Sequence, residues 1–384
     1  MHIAVAGPVT LSLLRSEVSV PSSIPGYPFA GTSGLVHEYL SAGHEVSVVT
    51  TSPAGITAPT WFRGSRLNVC VVPSRGRARD RALDFFKQER RLIEQELEAS
   101  GADICHAHWT YEFGLAAQRS TLPAVVTVHD WAPAIARMNR HPYWWFRALM
   151  QVKCLTGGGV LTAPSSYVAN NVEEVFRRPC HIVPNGTRLT DFSAGNGTLH
   201  QPARVGMLNV GFSERKNTRL AMRAFHLLRH AGIPVELDVA GVDYERGGSA
   251  HRWAEAEGLT SGVRFLGPLD PDQVPQWMSG LDLFLHPSRE ESFGMVLVEA
   301  MAAGLPVIAG SSSGAVSEVM GGEGVLVDIT DAEAVMGAML AVLRSEKVRV
   351  TAAHTGPLRA RMFDLSRSAQ SYLEIFDDVL RAGS

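Results

Sequence analysis

Cysteine is scarce in this chain: 384 residues hold only Cys70, Cys105, Cys154 and Cys180, scattered and without a Cys-x-x-Cys pair. Such spacing excludes a disulfide framework, and reduced thiols are the expectation. An excess of one charge is missing as well. The 35 Lys and Arg nearly balance 38 Asp and Glu, leaving a net charge of −3, whereas a general nucleic-acid binder carries a basic surplus. No apolar run reaches the roughly eighteen residues that a membrane-crossing helix needs. Met1-His-Ile-Ala-Val-Ala-Gly7 lacks the basic start, long apolar stretch and small-residue cleavage site of a secretory leader. It reads as a first strand, and the protein as cytoplasmic. What the chain does have is 45% apolar and 19% charged residues, material for two globular domains with their own cores.

Short apolar runs at His2–Ala6, Glu45–Thr50, Leu67–Val72, Ala124–Val128 and Gly159–Ala163 alternate with helical stretches such as Leu35–Ala42 and Ala82–Ala99. This is the rhythm of a parallel α/β sheet. It fades at Asn185-Gly186, and Leu189 to Ala203, rich in Ser, Gly, Asn and Thr, reads as an interdomain linker. The rhythm restarts with Val205–Val210, the helix Arg219–Ala231, Val235–Ala240, Val263–Leu266, Leu281–His286, Pro306–Ala309, Gly324–Val327 and the helix Asp331–Leu343. From Ser366 to Leu380 the apolar residues Ala369, Tyr372, Leu373, Phe376, Val379 and Leu380 give an amphipathic helix. The expected layout is a Rossmann-like domain over 1–187, a linker over 188–203, a second Rossmann-like domain over 204–360 and a terminal helix over 361–384.

The densest signal is Pro287-Ser-Arg-Glu-Glu-Ser-Phe-Gly-Met-Val-Leu-Val-Glu299. It follows a buried strand ending at His286 and enters a helix near Phe293-Gly294 that stops at Gly304. Glu291 falls in the strand-to-helix loop. Glu299 falls in the helix, where side chains lean back toward the N-terminus, so both address the crevice at the strand's carboxyl end. The amides of Gly294, Met295 and Val296, with a helix-start charge of about +0.5, suit a diphosphate. A carboxylate placed like Glu299 can accept from two vicinal ribose hydroxyls, at about 1.5–3 kcal/mol per charge-assisted bond. Gly211-Phe-Ser-Glu-Arg-Lys-Asn217 also joins a strand to a helix, so Lys216 and Arg215 can reach a phosphate there.

Pro-Ser-x-x-Glu-x-Phe-Gly and Glu-Ala-Met-Ala-x-Gly-x-Pro-Val together resemble the E-x7-E signature of retaining glycosyltransferases with the GT-B fold. That family includes sucrose synthases and bacterial mannosyl- and glucosyltransferases. The resemblance implies two doubly wound α/β domains facing across a cleft, with the donor on the second and the acceptor on the first. It implies that Glu299 holds the nucleotide ribose and that Glu291 lies beside the donor sugar. The loop backbone at Phe293 and Gly294 would then touch sugar hydroxyls and phosphate. Leu266 would mark where backbone reads the base. Lys216 would stabilise the leaving group, with Arg215 substituting for a customary arginine whose place Phe212 takes. On the first domain, Gly31 and Gly34 of Pro28-Phe-Ala-Gly-Thr-Ser-Gly34 would border donor and acceptor. His129 of Thr127-Val-His-Asp130 would face the reaction centre and His108 the acceptor. Asn185 would hydrogen-bond across the cleft, and the final helix would cross back to the first domain.

The expectation is therefore a retaining, metal-independent hexosyltransferase taking a UDP- or GDP-sugar and a hydroxyl acceptor, whether glycan, glycolipid or small molecule. Envelope glycan, polysaccharide or glycolipid synthesis is the setting it suggests. No cofactor is expected beyond the nucleotide sugar. Asp270-Pro-Asp272 precedes a helical stretch and reads as an N-cap, and the spacing of His106, His108 and His129 matches no closed zinc site. The rival readings are a non-catalytic sugar-nucleotide or glycan-binding module and a glycoside phosphorylase. The latter needs a lysine suited to pyridoxal phosphate, which the sequence does not offer. Asn139-Arg-His-Pro-Tyr-Trp-Trp-Phe-Arg-Ala-Leu-Met150 has two readings. It is either an interfacial helix docking on anionic lipid at the inner membrane face or a packed acceptor-side helix.

Overall fold

A computed structural model describes residues 1–139 and 141–383. Arg140 of the aromatic-basic segment thus lies outside the described residues. Contacts divide the chain into two units, Met1–Gly186 with Leu365 onward, and Thr187–Asp364.

In the first unit, strands β1 (His2–Ala6), β2 (Glu45–Ser52), β3 (Thr60–Arg63), β4 (Leu67–Pro73), β5 (Ile104–His108), β6 (Ala124–Thr127), β7 (Val160–Ala163) and β8 (Cys180–Ile182) form one sheet. Their order is β3-β4-β2-β1-β5-β6-β7-β8. Every neighbouring pair is parallel except the antiparallel β3–β4 hairpin. Helices cover both faces, which is why strands such as β1 and β5 are almost wholly buried. In the second unit, β9 (Ala203–Leu208), β10 (Val235–Ala240), β11 (Val263–Gly267), β12 (Leu283–His286), β13 (Val307–Gly310) and β14 (Val325–Val327) form an all-parallel sheet ordered β11-β10-β9-β12-β13-β14. Strand order reverses at β1/β5 and at β9/β12. In doubly wound sheets the crevice that takes ligands opens at the carboxyl ends of such strands.

Several expectations need adjustment. The helix placed at Ala82–Ala99 is two, Ala78–Leu83 and Lys87–Ala99. Between them Phe85 and Phe86 adopt φ of +54° and +58°. Arg75 causes the break: its guanidinium holds Asp84 at 2.8 Å and Glu89 at 2.6 Å, while Phe86 is driven into the core. The helix expected from Leu35 begins earlier, at Ala30. The stretch read as a linker is fastened to the second unit. Gly195 N–H donates to Ala303 O at 3.1 Å, Arg349 Nε to Gly197 O at 3.0 Å, and His200 Nδ1 lies 2.9 Å from Asp282. The final helix Leu365–Gly383 packs on the first unit, its Tyr372 ring 4.2 Å from that of His106. All four cysteines are free and buried, and burial pushes Cys105, Cys154 and Cys180 up to about 12. Among the described residues, no helix is long and apolar enough to cross a membrane.

Candidate active site

The loop after β12 carries the signature. Its helix is Met295–Ala302, with Gly294 as N-cap at φ +87°. A side chain is excluded at Gly294, because a Cβ would stand 2.8 Å from Leu297 Cδ1 and 3.2 Å from Glu291 Cγ in a backbone region that L-residues rarely adopt. Met295 and Val296 occupy the first turn, half-buried, where helix amides have no intrahelical acceptor. Phe293 is buried against Phe363, with ring centroids 5.4 Å apart, and so fixes the loop from beneath.

The loop after β9 brings a cation to the same place. Lys216 is 8% exposed, and its Nζ lies 2.9 Å from Glu291 Oε2. His286 Nε2 stands 3.5 Å from that oxygen. Burial by itself would push the Glu291 carboxyl up, but Lys216, His286 and Arg215 outweigh it and hold the group well below the usual carboxylate range. Burial draws Lys216 down from its ordinary ammonium value against the pull of Glu291, and it also lowers His286. Arg215 turns toward Glu290, with Nη1 3.3 Å from its carbonyl and 3.8 Å from its carboxylate. Backbone joins the two loops, Arg289 N–H donating to Arg215 O at 2.8 Å.

Glu299 lies one helical stretch further in, half-buried. It has no hydrogen-bond or ion-pair partner among the described residues. Burial raises its carboxyl to about 7. Partial burial without a partner makes this carboxylate costly to ionise, which is the cause of its raised value. Leu266 lies on the edge strand β11, 37% exposed, beside an Arg264–Asp238 pair at 2.5 Å. Asp270 begins the turn before the next helix, its N–H donating to Gln273 Oε1 at 3.0 Å. Among the described residues, no group of three or more His, Cys, Asp or Glu could hold a metal ion.

The first unit brings three of its histidines together at β5 and the carboxyl end of β6. His108 Nδ1 and His129 Nε2 are 2.8 Å apart, and His108 Nε2 and His129 Nδ1 have no partner. His106 behind them bonds Tyr39 OH at 3.1 Å and Thr127 Oγ1 at 2.9 Å. Burial holds His106 and His129 at about 3 and His108 well below its ordinary value. Burial thus disfavours the protonated form of His129. Trp109, the residue after His108, adopts φ +71°. Such a conformation costs a bulky residue about 1–3 kcal/mol. It is held by Trp109 N–H donating to Thr127 O and Gly114 N–H donating to Trp109 O, each at 3.0 Å. Gly31 lies in the first turn of the helix Ala30–Ser41 and is half-buried. Gly34 does not sit at a helix start as expected. It is buried inside the helix, where a Cβ would meet Leu365 Cδ2 at 2.6 Å, so its missing side chain admits the terminal helix. Asn185 is half-buried in an irregular segment whose Pro184 carbonyl accepts from Ser368 Oγ at 2.7 Å.

Lys216, Glu291, Gly294 and Arg215 thus come together, as do His108 and His129. His286 and Trp109 were missed by the sequence reading. A histidine closing a strand just before the Pro-Ser motif was a signal for the first. A positive φ at a tryptophan leaves no trace in sequence. In the aromatic-basic segment, Arg147 is buried, 3.0 Å from Glu112 and stacked 3.3 Å above Tyr111, whereas Trp145 and Leu149 on the same helix are 54% and 55% exposed.

Two doubly wound α/β units, each with a parallel sheet and helices on both faces, define the GT-B class. Within that class the chain belongs to the group 1 and family 4 glycosyltransferases. Residues 202–358 match the model described as Glycosyl transferases group 1, and residues 32–191 the one described as Glycosyltransferase Family 4. The chain is similar to D-inositol 3-phosphate glycosyltransferase of Salinispora arenicola, 35% identical over 320 residues, 75% of this chain and 71% of that one. It is also similar to phosphatidyl-myo-inositol mannosyltransferase of Mycobacterium leprae, 31% identical over 208 residues. That match covers 53% of this chain and about half, 54%, of the relative. Among solved structures, sucrose-phosphate synthase from Thermosynechococcus elongatus superposes with a TM-score of 0.80 at 18% identity over 100% of both chains. An Anabaena protein solved with UDP and glucose gives 0.69 at 16% identity over 98% and 100%. At such identities the likeness is one of fold.

Proposed function

We propose that the protein is a retaining, metal-independent glycosyltransferase that moves a hexosyl unit from a UDP- or GDP-sugar to a hydroxyl acceptor. The observation that carries this reading is Glu299, a half-buried carboxylate without a partner on the helix whose start adjoins the Lys216–Glu291 pair. Glu299 takes the ribose hydroxyls, and the amides of Gly294 to Val296 take the diphosphate. The bond from the anomeric carbon to the diphosphate oxygen breaks with its electron pair leaving on that oxygen. The new bond to the acceptor oxygen forms on the same face, and the acceptor's proton passes to the departing diphosphate. Lys216, Arg215 and the helix start offset the developing charge, a role that fixed cations fill without a metal. Glu291 orients Lys216 and faces the sugar. His129 stays neutral and holds a hydroxyl.

Calorimetric titration with UDP, GDP and ADP sugars tests the donor, followed by transfer assays with the nucleotide that binds. Normal transfer by Lys216→Ala and Glu299→Ala proteins would contradict the assignment. The pairing of both candidate cations with glutamates favours a second reading, a binding module. Slow release of nucleotide diphosphate in the absence of acceptor separates it from the enzyme.

The mannosyltransferase acting on phosphatidyl-myo-inositol and the glycosyltransferase acting on D-inositol 3-phosphate, to which the chain is similar, support acceptors among glycolipids and small polyols, and hence work at the cytoplasmic membrane face. The exposed Trp145, Leu149 and Val152, with Leu83 and Phe85 at 65% and 38% exposure and exposed Lys153 nearby, suit an anionic bilayer. Co-sedimentation with phosphatidylglycerol vesicles but not with phosphatidylcholine vesicles is the expected result.

A further inference from the structure

Resting on the transferase reading above, we propose that Tyr27, Phe29 and Trp109 form an aromatic shelf that binds the acceptor, and that the acceptor part it takes is a ring-shaped polyol, a pyranose or cyclitol. The three rings are half-buried and close: Tyr27 to Trp109 is 5.4 Å and Phe29 to Trp109 is 6.0 Å between centroids. The shelf borders His129, whose ring lies 5.7 Å from Phe29 and 6.5 Å, edge-on, from Trp109. A pyranose or cyclitol has an apolar C–H face and a polar hydroxyl edge. An aromatic surface beside a polar group matches both, and an open-chain polyol presents no such face.

The polar neighbour is equally specific. One proton lies between His108 Nδ1 and His129 Nε2, 2.8 Å apart. If His108 donates it, His129 Nδ1 carries a hydrogen and His108 Nε2 is bare. If His129 donates it, the two outer nitrogens exchange roles. Both outer nitrogens are buried without a partner, so the neutral pair offers one donor and one acceptor whichever way the proton lies. A ring hydroxyl, which can either give or take a hydrogen bond, suits the outer nitrogen of His129 whichever way that proton lies. Backbone strain at Trp109, held by two backbone hydrogen bonds, aims the indole where an unstrained residue would not place it. The charge beside the shelf is already met, Arg147 by Glu112 at 3.0 Å.

The test measures saturation-transfer NMR on methyl α-mannopyranoside, myo-inositol and glycerol with the whole wild-type chain, Trp109→Phe and Trp109→Ala. Transfer kinetics to the two ring compounds and calorimetry with nucleotide diphosphate accompany it. The expected result is saturation of ring C–H protons but not of glycerol. Trp109→Ala raises the acceptor KM about five- to tenfold, with Trp109→Phe near wild type and nucleotide affinity unaltered. Should Trp109→Ala misfold, Phe29→Ala is read the same way, with about a threefold rise. Unchanged acceptor KM in a folded variant, or equal saturation of glycerol, overturns the shelf. If the wild type binds no nucleotide, the transferase reading fails by itself, and ring-proton saturation lost in Trp109→Ala still upholds the shelf.

Discussion

Two buried polar clusters of this protein stand at equivalent places, the carboxyl ends of central strands, yet they deal with burial in opposite ways. In the first unit His106, His108 and His129 give up their charge. Burial depresses all three, and hydrogen bonds among neutral rings and hydroxyls satisfy most of their nitrogens. In the second unit Lys216 and Glu291 keep their charge and meet it at 2.9 Å, with His286 beside them. A neutral cluster suits a hydroxyl, which must be held but not ionised. A charged one suits a diphosphate, whose negative charge grows as it departs. On the proposed reading, that contrast matches an acceptor hydroxyl to the first unit and a donor diphosphate to the second.

Breaking the charged cluster should have the largest effect. Lys216→Ala strands the Glu291 carboxylate, so transfer falls about a hundred- to a thousandfold and urea unfolding shows a loss of about 3–5 kcal/mol. Lys216→Met with Glu291→Leu should regain most of that stability and none of the activity, a pairing no stabilising role for the ion pair could produce. Next comes Glu299→Gln. Nucleotide affinity measured by calorimetry drops ten- to a hundredfold, as two charge-assisted bonds weaken, while thermal stability at pH 8 does not fall, since no partner is lost.

Smaller effects follow from pH. Glu299 sits at about 7 in the free protein and accepts ribose hydroxyls best when ionised. Donor Kd should therefore weaken as pH falls below 7, by up to about tenfold per pH unit, and Glu299→Gln should flatten the curve. Stability has two opposed slopes. His106 and His129, moved from 6.5 to about 3, bind fewer protons folded than unfolded. Their contribution is complete above 6.5 and lost as pH falls from there toward 3, at about 1.4 kcal/mol per histidine per pH unit. Glu299, raised from 4.5 to about 7, binds more protons folded, so it favours the fold below 4.5 and loses that favour as pH rises to 7. Urea midpoints at pH 6.5 and 5 should fall on acidification, and more steeply in Glu299→Gln, where only the histidine slope remains.

The short edge strands β3 and β8 carry too few apolar residues to stand out, whereas the strands β1, β2, β4, β6 and β7 and the parallel rhythm of the second unit were legible from period and composition. So was the helix at Met295, since Gly294 must take a left-handed φ and Pro287 ends the strand. What escaped depended on contacts between distant residues. Nothing near Phe85 announces that Arg75 will seize Asp84 and Glu89 and split a helix. Gly34 looked like a ligand-facing glycine, and only the fold brings Leu365 to it from the far end of the chain. The Lys216–Glu291 meeting joins loops after β9 and β12, and sequence spacing carries no distance between them.

The sequestered thiols have a practical consequence. Cys105 and Cys154 show no accessible surface, Cys70 none and Cys180 little, and burial keeps the sulfurs protonated. Maleimide chemistry at neutral pH should leave the native chain untouched. A single cysteine introduced at Trp145 would then carry a fluorophore alone, turning that outward helix into a site-specific reporter of whatever surface it meets.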